Sequence, residues 1–262
     1  MGQHDFSGQS AVVTGSSRGI GAAIAVELAR SGARLTLTGR DNAALTDVAR
    51  AVETASGIRP AVVVCDLREA RAARMVVDAA MKAHGRLDIL VNNAGATKRG
   101  DFLTLTDEDF LDGFALKFHG AVRMTQAAWP HLVTSQGKLV NIVGIGSMTP
   151  AKDFTIGGPV NSALINFTKA IADRGLSDGV RVNAVNPGHI VTDRLRRRVE
   201  ALAKAEGITY AEAEERSRHE HGILRFGSSE EIAHLVAFLC SDRATYIHGS
   251  AIEIDGGATK GL

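Results

Sequence analysis

Glycines 15, 19 and 21 lie in Thr14-Gly15-Ser16-Ser17-Arg18-Gly19-Ile20-Gly21, where a β-branched run ends and a helical pattern begins. Glycine lets such a turn tighten and lets a ligand's phosphates approach the backbone. The helix that follows offers unpaired N–H groups and the positive end of its dipole. Strand, glycine turn and helix in that order point to a dinucleotide pyrophosphate held by Gly15, Ser17, Arg18, Gly19, Ile20 and Gly21. The next apolar run ends Leu37-Thr38-Gly39-Arg40-Asp41. Gly39 offers no carboxylate to a ribose 2′-hydroxyl, whereas Arg40 and Arg18 can fork onto a 2′-phosphate. These residues favour NADP over NAD, with Asp41 left as the one carboxylate near enough to reach a ribose.

The elements that must position this turn are legible as an alternation. Strand-like runs cover 11–14, 35–38, 61–65, 87–91, 138–143, 180–185 and 251–254. Helix-like stretches cover about 19–31, 42–56, 69–84, 107–134, 160–177 and 229–241. Repeated βαβ units of this kind build a parallel sheet with helices on both faces, which explains why the strand runs are almost wholly apolar. The expected architecture is α/β: one doubly wound domain spanning 1–262. A charged, helix-prone insertion at 192–222 should lie over the ligand crevice as a lid.

Further segments carry a resemblance. Cys65-Asp66-Leu67 ends the third run, Asn92-Asn93-Ala94-Gly95 the fourth, and Asn186-Pro187-Gly188-His189-Ile190-Val191-Thr192 the sixth. Arg225-Phe226-Gly227, Glu230-Glu231-Ile232-Ala233 and Asp255-Gly256-Gly257 follow. In this order, across nearly the whole chain, they resemble the short-chain dehydrogenase/reductase family. The resemblance implies a seven-stranded Rossmann sheet of order 3-2-1-4-5-6-7. It implies coenzyme contacts from Asp66 and Leu67 at the adenine, from Asn93, Ala94 and Gly95 beside the cofactor, and from Pro187, Gly188, Ile190 and Thr192 at the nicotinamide. It also implies a homo-oligomer, tetramer or dimer.

Where the family places its proton-handling side chains, this chain departs from it. The serine position is Gly144, the tyrosine position thirteen residues on is Gly157, and the lysine position four further is Asn161. The family's middle-helix asparagine is Lys117. Glycine can neither donate nor accept a proton through a side chain, and Asn161 can only hydrogen-bond a ribose hydroxyl. The pair Gly157-Gly158 before Pro159 predicts that the helix starts at about Pro159 and that a space remains where a phenol ring would sit. Candidate replacements are Lys117, as a cation or proton donor, and Ser147, as a hydroxyl near the cleft. Lys152, Asp153, Thr155 and His189 are weaker candidates on neighbouring loops.

Three functions fit these residues. The first is an NADP(H)-dependent oxidoreductase of a carbonyl or alcohol with a non-standard active site. The second is a nucleotide-binding sensor or scaffold without redox chemistry. The third is a lyase or isomerase that uses the emptied cleft. Arg194 and Arg196 to Arg198 either receive an anionic small-molecule substrate or form a solvated helix face. His219-Glu220-His221 has no partner ligands and reads as surface, so no metal site is expected. Thirty basic against twenty-nine acidic residues give a net charge of +1, which argues against nucleic-acid binding through bulk charge. Cys65 and Cys240 sit in apolar runs and read as buried thiols of a reducing compartment. No leader core, membrane span or myristoylation pattern at Gly2 is present, so the expected location is cytoplasmic.

Overall fold

In a computed structural model that describes residues 5–261, the β-branched runs form seven strands. They are β1 (Ser10–Thr14), β2 (Arg34–Gly39), β3 (Ala61–Val64), β4 (Ile89–Asn92), β5 (Lys138–Ile142), β6 (Arg181–Pro187) and β7 (Ala251–Ile254). All neighbours pair in parallel, in the order β3-β2-β1-β4-β5-β6-β7 that the resemblance implies. Chain direction across the sheet reverses between β1 and β4, so the crevice beyond their carboxyl ends is the natural ligand site.

Side-chain alternation divides the core in two. Ala11 and Val13 of β1 join Ile24 and Leu28 of α1 (Gly19–Arg30) and Val236 of α9 (Ser229–Cys240). Val12 points the other way, toward Val76 of α3 (Ala72–His84) and Met124 and Leu132 of α5 (Gly120–Ser135). Each such buried aliphatic side chain stabilises the fold by about 1.5–3 kcal/mol. Helix α2 (Asn42–Ser56) starts where the Asp41 carboxylate accepts a hydrogen bond from Ala44 N at 3.1 Å, and stops at Gly57 with φ 72°.

The middle helical stretch departs from the expected single helix over 107–134. It runs as α4 (Asp107–Phe114), a π-helical turn over Ala115–His119, and then α5. A π turn inserts one residue into the helical count and re-aims the side chains it contains, here Lys117. The helix after β5 also differs. It is α6 (Gly157–Asp178), which opens two residues before Pro159 because Gly158 N already donates to Phe154 O at 3.0 Å.

The insertion folds as two helices, α7 (Asp193–Glu206) and α8 (Tyr210–Glu220). They share a small core of Leu195, Val199, Ala213, Ile223 and Phe226. Among the described residues no helix is long and apolar enough to cross a membrane. Gly2 lies outside the described residues. Cys240 is buried as expected, but Cys65 is only half-buried, its Sγ 3.2 Å from Thr38 Oγ1 at the sheet edge.

Candidate active site at the carboxyl edge of the sheet

The glycine turn is fixed by β4. Thr14 Oγ1 accepts hydrogen bonds from Asn93 N at 2.9 Å and Ala94 N at 3.0 Å, while Asn93 Nδ2 donates to Thr14 O at 2.9 Å and Gly15 O at 3.1 Å. A Cβ at Gly21 would stand 2.4 Å from Asn93 Nδ2, and one at Gly15 would stand 2.8 Å from Ala94 Cα, so neither position accepts a side chain. Gly15 and Gly19 adopt φ of 62° and 54°, which favour glycine. At the start of α1, Arg18 is extended and no side chain caps the first turn. Its N–H groups and dipole therefore face the crevice open to an anion. Across the crevice, Thr192 Cγ2 would lie 3.2 Å from a Cβ at Gly19, which places the end of the β6 segment against the turn.

Both arginines expected at a 2′-phosphate come to the end of β2. Arg18 Nη2 is 3.3 Å from Asp41 Oδ2, and Arg40 Nη1 is 3.6 Å from Asp66 Oδ2. Asp41 is thus engaged twice, by Arg18 at Oδ2 and as the α2 cap at Oδ1. Asp66 also accepts from Arg68 N and Arg68 Nη1, each at 3.0 Å. Those contacts hold its carboxyl below the usual range although burial opposes them. The Leu67 and Ile190 side chains are buried in the protein, leaving only their backbones to meet a ligand. Ser17 stands over Gly39, its Oγ 3.4 Å from where a Cβ there would be. Gly188 is held by Ile254 O and packs so closely on Asp255 that a Cβ would come within 2.6 Å of Asp255 Cβ.

Nearer the expected reaction centre, Asn161 is buried. Its Nδ2 donates to Gly144 O at 3.4 Å, while its Oδ1 has no hydrogen-bond partner among the described residues. A buried acceptor left unpaired carries a penalty of about 1–3 kcal/mol, which a ligand hydroxyl would relieve. This orphan acceptor, together with the uncapped α1 terminus, fits a dinucleotide lying along the crevice.

The expected space at Gly157 is filled. A Cβ at Gly157 would fall 2.0 Å from Phe154 Cζ, and one at Gly146 would fall 2.6 Å from Phe154 Cε1. The two glycines together admit the Phe154 ring, over which the Arg99 guanidinium lies 3.9 Å from the ring centroid. Arg99 Nη1 in turn is 3.0 Å from Asp153 Oδ2. Ser147 Oγ donates to Gly144 O at 3.1 Å, so its proton serves a local turn. Lys152 is an exposed loop residue. Thr155 Oγ1 is buried without a hydrogen-bond partner among the described residues.

Lys117 lies across the crevice. Its alkyl chain covers Gly95, where a Cβ would come within 2.9 Å of Lys117 Cδ, and its Nζ donates to Val143 O. Burial, reinforced by nearby Arg194, pulls the ammonium pKa down to about 7. Arg194 Nη2 donates to Gly95 O at 3.1 Å, which brings the first turn of α7 over the same spot.

His189 and His221, one expected by the nicotinamide and the other on the surface, meet with ring centroids 3.8 Å apart and planes tilted by 52°. The surface reading of His221 is therefore corrected: Gly222 and Ile223 turn the chain back toward the sheet after α8 and carry His221 with them. Burial, with help from His221, pulls the His189 pKa down to about 4. Sequence reasoning also missed Phe154 and Arg99. Neither belongs to a spaced motif; the signal lay in the paired absences at Gly146 and Gly157. Among the described residues no three His, Cys, Asp or Glu side chains gather as metal ligands.

Residues 15–259 match the family profile described as enoyl-(acyl carrier protein) reductase. A 3-oxoacyl-[acyl-carrier-protein] reductase of Aquifex aeolicus is 31% identical over 251 residues, covering 95% of this chain and 97% of that protein. The crystal structure of L-sorbose reductase from Gluconobacter frateurii, complexed with NADPH and L-sorbose, superposes with a TM-score of 0.95 at 34% identity and covers 100% of both chains. A short chain dehydrogenase from Burkholderia cenocepacia in complex with NADP gives 0.85 at 32% identity, covering 96% of this chain and 98% of that one.

Proposed function

The chain belongs to the short-chain dehydrogenase/reductase family, and from that premise we propose that it is an NADP(H)-dependent oxidoreductase in which Lys117 handles the proton at a carbonyl or alcohol oxygen. Bound NADPH would supply a hydride to the carbonyl carbon. The chain's own residues do the rest. The glycine turn and uncapped α1 take the pyrophosphate, Arg18 and Arg40 take the 2′-phosphate, and Asn161 Oδ1 accepts from the nicotinamide ribose. The relatives solved with NADPH and NADP support the coenzyme choice.

One observation carries the acid: a desolvated ammonium on the crevice wall, anchored by a single carbonyl, that titrates near neutrality. An ammonium has three donors, and Val143 O takes one, so two remain for a substrate oxygen. In reduction Lys117 Nζ gives its proton to the oxygen as the hydride arrives at carbon; in oxidation the neutral amine takes it back. A pKa near the working pH suits both directions. Gly144 and Gly157 contribute no side chain, and Ser147 is positioned to shape the turn rather than to meet substrate.

Calorimetric titration with NADPH and NADH, followed by a carbonyl panel with the tighter coenzyme, tests this. We expect NADPH to bind at least tenfold more tightly, and Lys117→Met to lower turnover about 10²–10⁴-fold without changing NADPH affinity. Tight NADPH binding without turnover on any carbonyl would favour a second reading, a nucleotide-binding protein without redox chemistry. The Phe154 ring filling the reaction centre is the observation on that side.

A further inference from the structure

Positions 194 and 198 are one helical turn apart on α7, beside the stripe whose Leu195 and Val199 enter the lid core. Arg194 reaches Gly95 O, so this stripe looks into the crevice above Lys117. The Arg194 guanidinium has that one carbonyl and no carboxylate partner, and Arg198 has neither a hydrogen bond nor an ion pair among the described residues. Both side chains are exposed at the mouth of the crevice, and both lie near enough to Arg99 on the loop after β4 to feel its charge. The opposing charges are few. Asp153 is held by Arg99, Glu220 at the end of α8 faces Arg198, and Asp255 beside His189 binds the backbone at Gly257 and Thr259. Three cations gathered at one mouth with fewer carboxylates engaged repel one another, and an oxyanion among them would relieve that repulsion through charge-assisted hydrogen bonds.

We propose that Arg99, Arg194 and Arg198 form the receptor for an oxyanion group on the substrate, so that this enzyme acts on a carbonyl or hydroxyl compound bearing a carboxylate or phosphate. The idea rests on the oxidoreductase reading and adds the substrate class. The reacting oxygen lies at Lys117 and the anionic end points toward the lid, where the α7 guanidiniums close over it. The Phe154 ring holds Arg99 in place from below. The lid thus selects charge and the sheet edge performs the chemistry.

The test separates the two layers. The NADPH-loaded protein is titrated by calorimetry with succinate and, separately, inorganic phosphate; the arm that binds names the oxyanion. Binding should weaken at least tenfold in Arg198→Ala and in Arg99→Ala, and less in Arg198→Lys. NADPH affinity should stay within twofold, and Arg174→Ala, at the far end of α6, should change nothing. Absence of binding by either anion, or binding indifferent to Arg198→Ala, would overturn the proposal. So would anion binding that NADPH abolishes, because the guanidiniums would then belong to the coenzyme's own phosphates. Absence of NADPH binding in the preceding titration counts against the oxidoreductase reading instead, and the anion arm is then read on the coenzyme-free protein.

Discussion

Lys117 brings a cation to a place that solvates it poorly, and the folded state bears the cost. Below about pH 7 the group is charged in both folded and unfolded chains, and the burial penalty is present in full. Between about 7 and the ordinary lysine value of 10.5, the unfolded chain holds the proton and the folded one does not. Stability therefore rises with pH across that window. Denaturant midpoints measured from pH 7 to 9 should rise more steeply in the wild type than in Lys117→Met. The same variant should be at least as stable as the wild type at pH 6 while losing turnover. If the lysine is the acid, wild-type reduction should fall as pH climbs through about 7. At Gly157 the expected result is steric. Gly157→Tyr forces the Phe154 ring out and should cost about 1–3 kcal/mol. Combining it with Phe154→Ala should recover most of that loss, which a double-mutant cycle on unfolding curves would measure.

Among the elements, α9 illustrates a local rule. Ser228 and Glu231 form a reciprocal cap, and Arg225 Nη2 binds Glu231 Oε1 at 2.6 Å. The Arg225 guanidinium and the Ser228 N–H hold the Glu231 carboxyl down at about 2. Ser228→Ala should destabilise the protein by about 1 kcal/mol. The contribution of Glu231 should be intact above about pH 4.5 and fade as pH falls toward 2, visible as a lower thermal midpoint at pH 3. The glycine turn and the βαβ alternation were legible in the sequence because each depends on neighbours within a few residues or on a regular period, while the strand order came from the family resemblance. The π turn around Lys117 and the early start of α6 were not. A π turn has no sequence period of its own. The α6 start is set by the Phe154 carbonyl and ring, and so by contacts that form only when the loop closes. His221 was misplaced for a similar reason: its partner His189 lies on β6's following loop, thirty-two residues away.

For the whole molecule, a ligand that binds only the folded crevice adds to the stability of the fold. NADPH at one hundred times its dissociation constant should stabilise the chain by about 2.7 kcal/mol, seen as an upward shift of the thermal midpoint. Gly39→Asp combined with Arg40→Leu should move that response toward NADH; at position 39 the nearest atoms stand 3.4 Å from a new Cβ, so the carboxylate fits. The homo-oligomer implied by the family remains a proposal. Leu111 of α4 and Val133 of α5 are exposed apolar side chains, and light scattering should return a mass of two or four chains.

The seating of Phe154 between Gly146 and Gly157 also bears on ancestry. Once an aromatic residue has settled there, a tyrosine placed at 157 by one substitution is penalised immediately, whatever its chemical merit. Position 157 is thereby entrenched: a larger side chain there passes through a less stable intermediate unless the ring at 154 changes as well. Reconstructed ancestors of this chain should accordingly show the glycine at 157 arriving before, or together with, the ring at 154, and never after it.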